Sequence, residues 1–89
     1  MAFIVSENKI EYEENGDILA EISFPAEGYD TVDICHTYVN DALRGQGIAG
    51  KLMECAVNEI RRTNRKAIPT CSYAVKWFEQ HNDYVDVLK

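Results

Sequence analysis

Residues 44 to 52, RGQGIAGKL, carry three glycines into the start of an apolar-periodic segment, and no other stretch constrains the fold as much. Ahead of it lies TVDICHTYV, residues 31 to 39, which is β-branched and aromatic and therefore strand-like. Behind it apolar residues recur at 48, 49, 52, 53, 56, 57 and 60, the one-face spacing of an amphipathic helix of about four turns that Thr63-Asn64 ends. The chain must therefore pass from a strand through a tight turn straight into a helix N-terminus. Such a junction aims unpaired N–H groups and the positive end of the helix dipole at one point, the physical basis of phosphate binding at strand-loop-helix units. A turn that merely redirects the chain is the plainer alternative. Against it, Gly50 falls in the first helical turn, where glycine costs up to ~1 kcal/mol relative to alanine.

Three phosphate-loop patterns overlap here. Gly45, Gly47 and Gly50 fit the dinucleotide fingerprint G-x-G-x-x-G; Gly45, Gly50 and Lys51 fit most of a nucleotide P-loop; Arg44, Gly47 and Ala49 fit R-x-x-G-x-A, an acyl-CoA pyrophosphate loop. The dinucleotide loop requires a parallel β-α-β unit and an acidic residue ~20 positions on, but residues 65 to 71 contain no acid. The P-loop requires Ser or Thr after the lysine to hold magnesium, and Leu52 stands there. An acyl-CoA loop needs neither metal nor ribose acid, only a diphosphate nest after an antiparallel strand.

That strand context is legible. KIEYEENGDILAEISF reads as a hairpin turning at Asn15-Gly16, with Ile18, Ala20, Ile22 and Phe24 along one apolar face. Residues 31 to 39 add a third strand to the meander. KAIPTC, residues 66 to 71, is a short strand whose Pro69 marks an edge, a bulge or a splay. Ser72 opens a second helix that carries Trp77 and Phe78, and YVDVL follows as a terminal strand or an ordered tail. The expected fold is α+β, a mainly antiparallel sheet with two helices in the order β-β-β-α-β-α, forming one domain over residues 1–89.

Charge is divided. Residues 1 to 43 hold ten acids and one base, a net of −9, whereas residues 44 to 89 hold eight bases and five acids, a net of +3. A polyanionic ligand suits the second half and a cationic substrate the first. The one basic cluster, Arg61, Arg62, Arg65 and Lys66, is short and lacks interleaved aromatics, so nucleic acid is not expected as a partner. Nor is a membrane, since no run approaches the ~18 apolar residues of a span. Cys35, Cys55 and Cys71 share no C-x-x-C spacing and are odd in number, which argues for free thiols, no metal and a cytoplasmic location.

HTYVNDALRGQGIAGKLMECAV followed by IPTCSYAVKWF resembles the GNAT superfamily of acetyl-CoA-dependent N-acetyltransferases, and more closely a small branch of that superfamily with HTxV before the loop and P-x-C-S-Y after the next strand. The resemblance covers residues 31 to 80 well and the N-terminal hairpin by order only. It implies a minimal acyl-CoA-binding fold in which Arg44, Gly45, Gln46, Gly47, Ile48, Ala49 and Gly50 wrap the pyrophosphate of acetyl-CoA. It also implies that the backbone of Tyr38 and Val39 pairs with the pantetheine arm where the third strand parts from residues 66 to 71. The acceptor it implies is an amine, either a small molecule or a protein lysine. Because the branch lacks elements that build the acceptor site in longer members, a non-catalytic acyl-CoA-binding or sensing module that works with a protein partner stands as the alternative.

Three side chains are candidates for chemistry. Cys71 lies between a strand end and a helix N-terminus, a setting that lowers a thiol's pKa and suits a nucleophile or a proton donor, although most free cysteines are small buried hydrophobes. Tyr73 matches the tyrosine of the branch pattern, near where many members place a general acid, and packed aromatic is its other reading. His36 shares its strand face with Val32, Ile34 and Tyr38; this favours a core histidine over a proton relay from the amine. Cys35 and Cys55 read as structural. Trp77 and Phe78 read as core residues, Phe78 alternatively as a cover over the pantetheine.

Overall fold

In the computed structural model, which describes residues 2–89, the N-terminal half is an antiparallel meander. β1 (Ala2–Val5), β2 (Lys9–Glu14) and β3 (Asp17–Ser23) follow one another, and Asn15 and Gly16 form the two-residue turn between β2 and β3 with φ of 54° and 86°. Both positive values suit the primed turn that matches strand twist, which explains Asn-Gly at this point. β1 was not expected from the sequence: AFIV is apolar without alternation, and its strand character comes from pairing along β2, Phe3 opposite Tyr12 and Val5 opposite Ile10.

The expected third strand is two strands. β4 (Thr31–Ile34) pairs in parallel with β6 (Lys66–Pro69), whereas β5 (His36–Val39) pairs antiparallel with β3. The sheet orders are accordingly β1-β2-β3-β5 and β4-β6. The break is a bulge. His36 is the register partner of Ser23, yet the preceding Cys35 N–H also donates to Ser23 O at 3.2 Å, so two residues oppose one. The extra residue swings the strand from β6 to β3 and inverts its side-chain phase: Val32 and Ile34 are fully buried before it, while His36 and Tyr38 are exposed after it.

α1 (Ile48–Arg62) lies on the sheet with Ile48, Leu52, Met53, Ala56, Val57 and Ile60 buried. These residues share one core with Ile10, Tyr12, Ala20 and Ile22 of the sheet. Full burial of one such side chain contributes about 1.5–3 kcal/mol, which is how an 89-residue chain holds together around one helix stripe. Glu59 also lies on the buried side, where its carboxylate accepts from Arg62 Nε at 2.9 Å and Nη2 at 2.7 Å. α2 (Ser72–Gln80) adds Ala74, Trp77 and Phe78 to the core. The C-terminal YVDVL is mainly 3-10 helix (Asn82–Val87), followed by a single bridge from Leu88 to Ala67, an ordered tail rather than a strand. The basic cluster is spent internally: Arg61 pairs with Asp86, and Arg65 donates to Asn8 Oδ1 and Glu7 O, each at 2.9 Å.

Candidate active site

The loop after β5 starts with Asn40, whose Oδ1 accepts from Ala42 N at 2.9 Å and caps a 3-10 turn over Asp41–Leu43. The chain then reverses at Gly45 (φ 81°) and Gly47 (φ 73°), and Gly47 leads directly into α1. Left-handed backbone at these two positions accounts for both glycines. The N–H groups of Arg44, Gln46 and Lys51 are used by Asp41, Leu43 and Gly47 carbonyls. Among the described residues, those of Gly45, Gly47, Ile48, Ala49 and Gly50 find no acceptor, and no acidic side chain stands in the first turn of α1. A row of orphan donors at the positive end of a helix is built to receive anionic oxygen.

Gly50 differs from the other two. Its φ is not positive, and a Cβ placed on it would meet nothing within 4 Å. Neither strain nor packing requires a glycine here. Gly50 also lines a cavity of about 270 Å³, together with Val39, Leu43, Tyr73 and the loop residues Arg44, Gly45, Gly47, Ile48 and Ala49. Gln46 is not part of that lining; its Nε2 donates to Ala42 O at 3.5 Å. Arg44 lies at the rim, with Nε 3.1 Å from Asp41 Oδ1.

From this cavity the two sheets diverge. Thr70 and Cys71 N–H both donate to Ile34 O, at 3.0 and 3.1 Å, which pins the point of divergence at the end of β6 and explains Pro69 there. Beyond it β5 is bonded only through the edge facing β3. The Asn40 N–H to Leu19 O bond of 2.7 Å sets the parity of that ladder, turning His36, Tyr38 and Asn40 toward β3 and leaving the N–H and C=O of Thr37 and Val39 on the free edge. Tyr38 thus spends its backbone on Glu21, and Thr37 takes the free-edge position adjoining Val39.

Cys71 occupies the apex of the gap as the N-cap of α2. Its Sγ lies 3.6 Å from Thr37 Oγ1. Burial alone would push this thiol up, but the N–H of Ala74, the Thr37 hydroxyl and the N–H groups of Tyr73 and Thr37 hold it below its ordinary value. Burial, and then the neighbouring Cys71, push the Tyr73 phenol up, so it keeps its proton at neutral pH. A thiol held below its ordinary value therefore sits beside a phenol held above its own.

The bulge overturns the expected surroundings of His36. Inverted phase puts it on the outer face, exposed, with Nε2 3.7 Å from Glu21 Oε1, away from Val32, Ile34 and the face on which Thr37 meets Cys71. Phe78 is 4% exposed, edge-on to Trp77, and absent from the cavity wall; it is a core residue and not a cover. Cys35, read as structural, is exposed at the bulge, while Cys55 is half-buried. Thr37 escaped the sequence reading because its position depends on the bulge, for which the sequence offers no signal. Among the described residues no group of three or more His, Cys, Asp or Glu is placed to hold a metal. No helix among them is long and apolar enough to cross a membrane.

Comparison with known proteins bears directly on this cleft. The family model for the GCN5-related N-acetyl-transferase matches residues 9–87. A GCN5-like protein from Staphylococcus aureus, solved by NMR, superposes with a TM-score of 0.80 at 34% identity, over 99% of this chain and 87% of that one. A GNAT family acetyltransferase from Elizabethkingia anophelis, with acetyl-CoA bound, shares the fold at a TM-score of 0.65 and 17% identity, over 83% of this chain and 51% of its own. Protein NATD1 of Xenopus tropicalis is 41% identical over 54 residues, 61% of this chain and 50% of that protein. The chain thus spans about half the length of the curated relatives it matches. With the diverging strands and the loop of unpaired amides on the same cleft, the match over residues 9–87 settles the family: the chain belongs to the GCN5-related N-acetyltransferases, the GNAT family.

Proposed function

We propose that the chain transfers an acetyl group from acetyl-CoA to an amine. One observation carries the reading: the loop whose Gly45, Gly47, Ile48, Ala49 and Gly50 N–H groups find no acceptor lines one cavity with Tyr73 and with Val39 of the free β5 edge, the strand on which Thr37 meets Cys71. The acetyl-CoA bound to the Elizabethkingia protein of the same fold supports it. The orphan amides and the space over Gly50 receive the diphosphate, with Arg44 at the rim. The free C=O of Thr37 and the free N–H and C=O of Val39 pair with the amides of the pantetheine arm, which adds to β5 as a strand would. The thioester is thereby delivered to the apex between Cys71 and Tyr73.

Transfer forms a C–N bond and breaks the thioester C–S bond; the amine loses a proton and the departing thiolate gains one. Tyr73, protonated and within the cleft, supplies that proton and recovers the one the amine releases. Cys71 offers a two-step route: its thiolate displaces the CoA thiolate to give acetyl-Cys71, and the amine then takes the acetyl group and regenerates the thiol. The excess of acids in residues 1 to 43 favours a cationic acceptor, a lysine side chain or a polyamine. We place the chain in the cytoplasm, a reading supported by its free cysteines.

The test is intact mass after incubation with acetyl-CoA, for the parent and Cys71→Ala, together with an amine panel assayed for CoA release. The expected result is acetyl-CoA-dependent turnover of an amine and one acetyl mass on the parent that is missing in Cys71→Ala. Cofactor binding with neither adduct nor acetylated amine would replace this reading with a non-catalytic acyl-CoA-binding module.

A further inference from the structure

The apex of the cleft contains a side chain for which neither packing nor ligand pairing accounts. Thr37 is the first inward-facing residue after the bulge, and valine would fill its place on a strand equally well. Its hydroxyl has Cys71 Sγ as its hydrogen-bond partner among the described side chains, at 3.6 Å. Its backbone N–H, released from the β3 ladder by the parity of β5, also faces the sulfur. One residue thus approaches Sγ with two polar groups from the strand side. The start of α2, which Cys71 precedes as N-cap, lies on the other side of the sulfur.

We propose that Thr37 is a positioning residue for Cys71, seating Sγ between the free edge of β5 and the N-terminus of α2 in one orientation. The inference rests on Cys71 being the thiol that takes the acetyl group. In the neutral form the S–H donates to Thr37 Oγ1; on ionisation the hydroxyl rotates and donates to the sulfur, so a single side chain serves both states. A backbone N–H alone does not allow that exchange, because it only donates. The other groups around the sulfur do not duplicate the role. Tyr73, from α2, is the titratable side chain facing it. On β5, His36 and its partner Glu21 lie on the outer face. On β4, Asp33 is engaged by the Thr70 hydroxyl.

The experiment uses the full chain carrying Cys35→Ser and Cys55→Ala, in which Cys71 is the remaining thiol. The rate of alkylation by iodoacetamide is followed from about pH 5 to pH 10 to locate the thiol midpoint. Thr37→Val should raise that midpoint by about one unit and lower the rate of acetyl-Cys71 formation below it about tenfold, while Thr37→Ser should restore the parent midpoint. Thr37→Ala, which removes the hydroxyl without altering strand packing by an added methyl, carries the same expectation as Thr37→Val. A Thr37→Val midpoint that coincides with the parent, or a Thr37→Ser midpoint that follows Thr37→Val, would overturn the proposal. The two readings fail separately. A midpoint shift with neither acetyl-enzyme nor acetylated amine in any variant ends the transferase reading and keeps the seat, whereas acetyl-Cys71 formed with the same pH dependence in all variants does the reverse.

Discussion

Gly50→Ala is the substitution on which structure and function pull in opposite directions. In the free protein the new methyl meets no atom within 4 Å, and the backbone at this position is helical rather than left-handed. Removing a glycine from the first turn of α1 should therefore stabilise the fold by about 0.5–1 kcal/mol, which for a domain of this size raises Tm by roughly 2–8 °C. The same methyl is added to a residue that lines the cavity we assign to the diphosphate, beside the unpaired N–H groups of Ala49 and Gly50. Losing close contact to one or two of these donors should weaken acetyl-CoA binding by about tenfold or more, since hydrogen bonds to charged groups contribute ~1.5–3 kcal/mol each. Calorimetric Tm and acetyl-CoA titration on the same preparation read both effects. A higher Tm with unchanged affinity would show that Gly50 serves no ligand and would refute the loop assignment. A lower Tm would refute the reading that the fold does not require glycine there.

Further expectations follow from the same geometry. Gly47→Ala places a side chain at φ 73° and should lower stability by about 1–2 kcal/mol, measured by urea denaturation, in contrast with Gly50→Ala. His36→Ala should leave both Tm and the Cys71 alkylation midpoint within error of the parent, because His36 stands on the outer face; a shifted midpoint would contradict the phase inversion. Hydrogen bonding to Arg62 holds the Glu59 carboxyl below the usual carboxylate range against the opposing effect of burial. A folded-state value below the unfolded one means that this stabilisation is complete above the unfolded pKa of about 4.3 and is lost as pH falls through the folded value. Glu59→Gln should accordingly be less stable than the parent at neutral pH and converge with it in acid, as followed by denaturant unfolding at a series of pH values.

How far residue patterns lead depends on the range of the interactions they encode. Asn15-Gly16 and the stripe from Ile48 to Ile60 act locally, through backbone dihedrals and one-face burial, and both were legible. The glycine loop was legible as a strand-turn-helix junction because its three parts are consecutive. β1 was not, since its strand character is conferred by β2. The bulge at Cys35 was not legible either: it arises from competition between Ser23 of β3 and the β6 register for the same strand. One undetected extra residue then misassigned His36, hid Thr37, and exchanged Tyr38 for Thr37 on the free edge. Pro69 did mark the divergence, because a missing N–H limits where a strand can pair.

The overlapping loop patterns yield to one titration. Isothermal calorimetry of the unaltered chain with acetyl-CoA, with a nicotinamide dinucleotide and with magnesium ATP compares the three ligands for which RGQGIAGKL offers a partial match. Our account predicts one equivalent of acetyl-CoA bound and no saturable heat from the other two. Failure to bind acetyl-CoA, or comparable binding of ATP, would contradict it.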